Sequence, residues 1–243
     1  MRICAVIPTF NNDRTLSGVI DDVLRHIPAV IVVNDGSTDR TAEILDGYGN
    51  RIILISYPTN RGKGYALRKA FRYALCNGFT HAVAIDSDGQ HFAGDIPGFL
   101  ATVVRRPEAL IIGNRNLSQE NMPRKNTFAN RFSNFWFTVQ TTRRLADTQT
   151  GFRLYPLEKV GKMHLFTRRY ETELEILVRS AWNGIPFVSI PVGVRYAPDR
   201  VTHFRPFADF ARISMLNTIF CLLAIVYGYP KMLAASLGRY CQK

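Results

Sequence analysis

The sequence predicts an α/β fold in which a mostly parallel β-sheet is flanked by helices, and two observations support this. Over residues 1–115, short apolar runs alternate with segments whose apolar residues recur at helical spacing. Clusters of polar residues follow several of the apolar runs, as expected where parallel strands end at a ligand-binding edge. This βαβα alternation is typical of a sheet covered by helices.

The individual elements follow from the same pattern in chain order. Five strands are predicted by apolar runs at residues 3–7, 29–33, 52–55, 82–85 and 109–112. Four helices are predicted between them at residues 13–26, 38–45, 65–76 and 95–104. The first helix is the clearest, because Leu16, Val19, Ile20 and Val23 share one face.

The composition indicates a globular, basic protein. The 243 residues are 47% hydrophobic and carry a formal net charge of +12 at pH 7. This charge favours anionic partners, although a basic surface that only confers solubility explains it equally well. Nucleic-acid binding is disfavoured, because helix-turn-helix, zinc-finger and RNP signatures are absent from the sequence. Four cysteines without metal or redox spacing, and a first apolar run too short for a signal peptide, predict a cytosolic protein.

Residues 86–91, with the sequence DSDGQH, are the most informative stretch, and they follow the fourth predicted strand. The carboxylates of Asp86 and Asp88 suit a hard cation such as Mg²⁺, which takes one or two carboxylates together with phosphate oxygens and water. Such a site holds a diphosphate and stabilises it as a leaving group. On its own, an Asp-x-Asp is more often a turn or a pair of solvated acids.

Two further polar segments lie at predicted strand ends. In residues 34–39, NDGSTD, Asp35 is placed to accept hydrogen bonds from a base or ribose, but the segment serves equally well as a turn and helix cap. Residues 60–64, NRGKG, offer backbone amides and two cations to an anion, with an ordinary loop as the alternative. Their spacing excludes a Walker loop and a Rossmann dinucleotide fingerprint.

Four motifs together keep the order and spacing of a known family. They are PTFN at residues 8–11, VNDGSTDRT at 33–41, NRGKG at 60–64 and DSDGQ at 86–90. In these motifs the chain resembles family 2 glycosyltransferases with a GT-A fold, and the resemblance covers residues 1–200. The QH pair at residues 90–91 is similar to the branch of dolichyl-phosphate mannosyltransferase and bacterial polyprenyl-phosphate glycosyltransferases, as are residues 113–115 and 147–153. Asn12 and Asn34 depart from the acidic residues common there.

The resemblance implies inverting transfer of a sugar from a UDP- or GDP-sugar with the help of Mg²⁺ or Mn²⁺. It implies a Rossmann-like GT-A domain over residues 1–205, with a nucleotide-sugar half at 1–113 and an acceptor half at 114–205. The implied catalytic residues are Asp88 and Arg115, and the implied metal ligands are Asp86, Asp88 and Gln90. The residues implied in nucleotide-sugar binding are Pro8, Phe10, Asn12, Asp35, Lys63, Asp86 and Ser87. Those implied at the acceptor phosphate are Arg115, Arg131 and Arg153.

The class of acceptor depends on protonation chemistry. A hydroxyl acceptor needs a general base, whereas a phosphate monoester is already largely dianionic at neutral pH and needs cations instead. The cations available after residue 113 include Arg115, Arg124, Lys125, Arg131, Arg143, Arg144 and Arg153. The candidate bases are Glu171, Glu173 and Glu175, on a predicted helix whose dipole alone favours acidic residues at its start. A polyprenyl phosphate is therefore preferred, and a hydroxyl of a glycolipid or polysaccharide is the alternative.

Two segments suggest contact with lipid. Residues 126–142 contain five large aromatic side chains, which predict either packing on the sheet or an interfacial role. Residues 213–227 are almost continuously apolar but short for a span of about 20 residues. With a break expected at 228–231, residues 206–243 are predicted to form a monotopic or re-entrant hairpin on the cytoplasmic side of the membrane. A single span within 208–237 and a helix packed on the domain or in a dimer are the alternatives.

Overall fold

The computed structural model describes residues 1–115, 124–195 and 206–240, with the side chains of 1–115, 129–195 and 212–234. In this part of the chain the strands are β1 (Ile3–Thr9), β2 (Val30–Asp35), β3 (Ile53–Tyr57), β4 (His81–Ala84), β5 (Leu110–Arg115), β6 (Arg153–Pro156) and β7 (Phe187–Val192). They form one sheet in the order β3-β2-β1-β4-β6-β5-β7. Neighbouring strands run parallel except at β6, which pairs antiparallel with β4 and β5. The predicted α/β class is therefore confirmed.

The helices of the described residues are α1 (Leu16–Leu24), α2 (Thr41–Asp46), α3 (Lys63–Cys76), α4 (Ile96–Arg105), α5 (Arg124–Thr141), α6 (Leu157–Val160), α7 (Glu171–Trp182), α8 (Pro206–Leu223) and α9 (Tyr229–Tyr240). A π-helical segment, Ala224–Gly228, joins α8 to α9. The strands and helices predicted for the first 115 residues are all present, with ends shifted by a few residues.

Both faces of the sheet are covered, which explains the continuous apolar runs of its strands. In β1, Cys4 and Val6 belong to the hydrophobic cluster that includes residues of α3 and α7. The alternate residues Ala5 and Ile7 belong to the cluster that includes residues of α1 and α4. Successive residues of a strand point to opposite faces, so a strand buried on both sides has no polar positions.

The aromatic helix α5 has a buried side and an exposed side. Phe137 is fully buried, whereas Phe135 is 59% exposed. Trp136 is half-buried and forms edge contacts with Phe132 and Phe135, at centroid distances of 6.1 and 5.4 Å. Packing on the domain therefore accounts for only part of this segment.

The C-terminal segment is helical without interruption from Pro206 to Tyr240, so the expected hairpin is wrong. The break predicted at residues 228–231 is absent because Pro230 is the second residue of α9, next to the π-helical segment, where backbone hydrogen bonding is already irregular. Phe220 is fully buried and lies 5.7 Å from Trp182, measured between ring centroids. The tail thus packs on α7.

The other side of the tail is apolar and exposed. The exposed side chains include Met215, Leu222, Ile225, Val226 and Leu233, and Val226 reaches 73% exposure. By length and composition, the 23 residues Arg212–Ala234 are able to cross a membrane, and only 28% of an apolar 18-residue window within them is buried. A stripe of this kind favours a lipid surface.

Glu175 of α7 should contribute strongly to stability. Its buried carboxylate accepts hydrogen bonds from the backbone N–H groups of Phe166 and Thr167, the Thr167 hydroxyl and Nε of Arg179. Removing it leaves these donors without their acceptor, so Glu175→Ala should lower the free energy of unfolding by about 3 kcal/mol. Urea denaturation measures this, with the exposed Glu158→Ala as control. Equal stability of the two variants would contradict the assignment.

Candidate active site

Three loops meet at the carboxyl edge of the sheet, where the sequence predicted a site. The backbone N–H of Asn11 donates to Oγ of Ser37 at 3.0 Å, and the N–H of Thr38 donates to Oδ1 of Asn11 at 2.7 Å. Nδ2 of Asn12 donates to Oγ of Ser87 at 2.9 Å. These bonds join the loops after β1, β2 and β4. Asn11 has a φ of 49°, a left-handed conformation that asparagine tolerates better than most residues.

Asp35 fixes the loop that precedes α3. Its buried carboxylate accepts the N–H of Arg61 at 2.7 Å and the N–H of Gly62 at 2.8 Å. The pKa of Tyr57 is raised mainly by burial and to a smaller extent by the nearby carboxylate of Asp35. Gly62 has a φ of 94°, and a Cβ there would lie 2.7 Å from the carbonyl oxygen of Arg168. Asp35 therefore has a structural role, and its role in nucleotide binding stays a prediction.

Lys63, the first residue of α3, lies between two carboxylates. Its Nζ is 2.6 Å from Oδ1 of Asp86 and 2.9 Å from Oε2 of Glu173, which is on α7. Burial disfavours the charge of Lys63, but the two carboxylates outweigh burial and raise its pKa. Burial likewise opposes the charge on Asp86, and the ammonium overcomes this and lowers the pKa of that carboxyl. Lys63 and Asp86 are therefore both ionised at neutral pH.

Asp88 and Gln90 form the outer part of the DSDGQH loop. The backbone N–H and Nε2 of Gln90 donate to the Asp88 carboxylate at 3.0 and 2.6 Å. Across the side chains that the structure describes, histidine, cysteine and acidic residues form no group of three able to hold a metal. The half-exposed Asp88 carboxylate and the Gln90 amide oxygen still suit a hard cation, which takes one or two carboxylates when phosphate oxygens complete its shell.

Arg115 ends β5 and forms a two-point ion pair with Asp147. Its Nε and one terminal nitrogen donate to the two carboxylate oxygens at 2.6 and 2.9 Å. Asp147 also accepts from Nδ2 of Asn130 at 2.6 Å and from the N–H groups of Gln149 and Thr150. Burial raises the pKa of Asp147, but these donors, Arg115 first, overcome that effect and hold it low.

His91 lies among these charged groups. It is buried, and its ring lies 5.2 Å from that of Phe152. Burial, together with the charges of Arg115 and Lys63, lowers the pKa of His91 to about 4, although the charge of Asp86 acts in the opposite direction. The imidazole is therefore neutral at neutral pH. Asp86, Lys63 and Arg115 all act on the pKa of this imidazole.

The other predicted residues differ in position. Pro8 is buried in β1 opposite Val33, and Phe10 is half-buried just beyond. Arg131 is exposed on α5. Arg153 is fully buried and donates to the carbonyl oxygens of Glu173 and Thr148 at 2.9 and 2.8 Å. This position leaves Arg153 no exposed surface for an acceptor phosphate, so it is a structural cation here. The side chains of the candidate cations Arg124 and Lys125 lie outside the described residues.

Sequence reasoning missed the partners of the charged residues. The pairing of Lys63 with Glu173 and of Arg115 with Asp147 was not anticipated, and His91 had no assigned role. The one available signal was Gly151 within the segment DTQTGFR. A Cβ at Gly151 would lie 2.4 Å from Oδ2 of Asp86, so only glycine leaves room for that carboxylate.

Comparison with known proteins identifies the family. The family model described as Glycosyl transferase family 2 matches residues 4–161. The chain is 26% identical over 215 residues to the UDP-N-acetylglucosamine–dolichyl-phosphate N-acetylglucosaminyltransferase of Methanococcus voltae, covering 80% of this chain and 86% of that protein. It is 25% identical over 203 residues to the polyprenol monophosphomannose synthase of Mycolicibacterium smegmatis, covering 79% and 76%.

A solved structure supports the fold. Glucosyl-3-phosphoglycerate synthase from Mycobacterium tuberculosis, crystallised with Mn²⁺, UDP-glucose and phosphoglyceric acid, matches with a TM-score of 0.69 at 18% identity, over 92% of this chain and 79% of that one. The shared architecture is the GT-A fold. Since the family match spans well over half of the 243 residues, the chain belongs to glycosyl transferase family 2.

Proposed function

We propose that this protein transfers a sugar, with inversion, from a nucleotide-diphosphate sugar to the phosphate of a polyprenyl lipid at a membrane surface. The observation that carries the proposal is the state of the candidate bases. Glu175 is bound to the Phe166–Thr167 backbone, and Glu173 is paired with Lys63. Glu171 is half-buried at the start of α7. With two of the three engaged in this way, an acceptor that needs no deprotonation fits best.

The donor would bind where the loops after β1, β2 and β4 meet. The residues proposed to hold it are Pro8, Phe10, Asn12, Asp35 and Ser87, which line the carboxyl edge of parallel strands. Asp86, Asp88 and Gln90 would hold Mg²⁺ or Mn²⁺, and the cation would supply positive charge to offset the negative charge of the departing diphosphate. Lys63 would act on this site through Asp86, because its Nζ lies within 3 Å of the carboxylates of Asp86 and Glu173.

The acceptor phosphate would bind at Arg115, with Arg131 of α5 as a second cation. Asp147 holds two nitrogens of the Arg115 guanidinium and so fixes its plane. A phosphate oxygen attacks the anomeric carbon from the face opposite the leaving group. The glycosyl–phosphate bond forms as the bond to the diphosphate breaks, and the nucleoside diphosphate leaves. Two relatives named for dolichyl-phosphate and polyprenol substrates support this acceptor class.

The membrane surface would be reached through the tail. Exposed apolar side chains line one side of Arg212–Ala234, and the basic charge of the chain favours an anionic leaflet. We place the enzyme on the cytoplasmic side, where nucleotide sugars are supplied.

The metal assignment is tested by Asp88→Ala. Loss of a carboxylate ligand should lower kcat/KM at least about a hundredfold and weaken Mn²⁺ binding, while the thermal midpoint changes little because Asp88 lies in a half-exposed loop. Steady-state kinetics and thermal melting measure the two effects. Asp22→Asn, on the exposed part of α1, is the charge control. Full wild-type activity in EDTA would contradict the assignment.

The acceptor assignment is tested by Arg115→Lys. Lysine cannot keep the two-point contact with Asp147 and also present a planar set of donors to a phosphate, so KM for a short-chain polyprenyl phosphate should rise at least about tenfold with little change in donor KM. The exposed Arg72→Lys on α3 is the control.

Two glutamine variants complete the acceptor test. Glu171→Gln, and Glu173→Gln at saturating cation, should keep kcat within about threefold, because an ionised phosphate needs no base. A thousandfold loss in either folded variant would instead indicate a general base and a hydroxyl acceptor.

The membrane assignment is tested by substitutions that change only exposed residues of the tail. Replacing Leu222, Ile225 and Val226 by serine removes exposed apolar surface and leaves the buried Phe220 in place. Binding to phosphatidylglycerol vesicles should fall at least about tenfold, since each of these side chains contributes about 1–2 kcal/mol when it enters lipid. Vesicle sedimentation measures this, with the exposed Leu54 and Val104 replaced by serine as control. Unchanged binding would indicate that the stripe faces water or protein.

A further inference from the structure

The cluster of Lys63, Asp86 and Glu173 contains more negative charge than the ammonium neutralises. Nζ of Lys63 is 2.6 Å from Asp86 and 2.9 Å from Glu173, so one cation is shared by two carboxylates. The side chain of Lys63 is only 15% exposed. Lys63 and these two carboxylates sum to one negative charge, and the buried guanidinium of Arg153 is a further cation whose charge acts on Asp86.

The second oxygen of Glu173 has no evident structural purpose. Its Oε1 is buried and has no hydrogen-bond donor among the described residues. A buried carboxylate with an unsatisfied oxygen is costly, and a neutral glutamine would fill the same volume. Gly151 packs closely against the same group, because a Cβ there would lie 2.8 Å from Nζ of Lys63. The negative charge of Glu173 therefore has an electrostatic role, in balancing the Lys63 and Arg153 cations that act on Asp86.

We propose that Glu173 is a positioning residue that sets the cation affinity of Asp86 by sharing the Lys63 ammonium. Because two carboxylates share Lys63, the ammonium offsets only part of their negative potential, and the remainder attracts a cation bound with the nucleoside diphosphate. Without the charge of Glu173, Lys63 offsets the charge of Asp86 alone, and the site attracts a cation less strongly. This inference rests on the proposed function, because it takes Asp86 as a carboxylate that faces the cation.

The test compares variants that change the local charge in opposite directions. Glu173→Gln should raise the Kd for Mn²⁺ about tenfold, whereas Lys63→Gln should lower it by a similar factor. The double variant restores one net negative charge and should return the Kd to within about threefold of the wild type. Glu171→Gln makes the same chemical change on the same helix and is half-buried without contacting Lys63, so it should leave the Kd unchanged.

The readout is Mn²⁺ binding followed by electron paramagnetic resonance, in the presence of UDP or GDP, whichever raises the thermal midpoint of the wild type. Glu173→Gln should also need more Mn²⁺ for half-maximal activity, with kcat at saturating Mn²⁺ little changed. Should Glu173→Gln fail to fold, Lys63→Gln should still lower the Kd, and the double variant should still return it to within about threefold of the wild type.

Three outcomes would overturn the inference. One is an equal Kd for Mn²⁺ in Glu173→Gln and Glu171→Gln. Another is a Kd that rises in Lys63→Gln, as general damage to the site would produce. A third is an unchanged Kd for Mn²⁺ in Glu173→Gln together with a raised KM for the nucleotide sugar, which would mean that Glu173 contacts the donor directly. If the wild type binds neither nucleotide with Mn²⁺, the proposed function fails as well.

Discussion

The antiparallel strand β6 determines where the charged residues of this protein meet. It lies between β4 and β5 and runs against both, so its first residue lies at the edge where the other two strands end. The chain before β6 is thereby brought between the DSDGQH loop after β4 and Arg115 at the end of β5. Asp147 and Gly151 belong to this segment, and they contact Arg115 and Asp86 respectively. A parallel strand here would deliver the same residues to the opposite edge.

Buried charges around this edge are compensated in different ways. Asp147 is fully buried, and its two oxygens meet Arg115, Asn130 and backbone N–H groups. Arg153 is also fully buried and is held by backbone carbonyl oxygens. The Arg115–Asp147 ion pair contributes little net stability, because desolvation offsets its attraction. Removing either partner is nevertheless costly, because it leaves the other charge buried and unpaired. The main effect of these contacts is to fix the direction of each charged group at this edge of the sheet.

The sequence predicted β1 to β5 because each contains a short apolar run, and β1, β2 and β4 are buried on both faces. It did not predict β6 and β7. Strand β6 has only four residues and begins with Arg153. A buried arginine is not expected from a strand pattern, and one of its hydrogen-bond partners, the carbonyl oxygen of Glu173, is 20 residues away in the chain. Strand β7 is partly exposed at the sheet edge and contains Pro191, which also weakens the pattern.

The motifs located the candidate site but not its internal contacts. Lys63 and Glu173 are 110 positions apart, and Arg115 and Asp147 are 32 apart, so nothing in local spacing connects them. The tail was predicted as a hairpin because Gly228 and Pro230 usually end helices. Gly228 instead lies against Trp182, where a Cβ would be 2.4 Å from its indole nitrogen, and helix packing overrides the local preference.

The close approach of α3 to the segment around the start of α7 changes the meaning of the NRGKG motif. A Cβ at Gly64 would lie 1.8 Å from Oγ1 of Thr172, and one at Gly62 would meet the backbone of Arg168. Both glycines are therefore required by contacts between elements that are about a hundred residues apart in the chain. Any larger residue at either position would move α7 outward and take Glu173 away from Lys63. The NRGKG segment therefore also acts as a spacer, because the absence of a Cβ at both glycines lets α3 approach the segment around the start of α7 this closely.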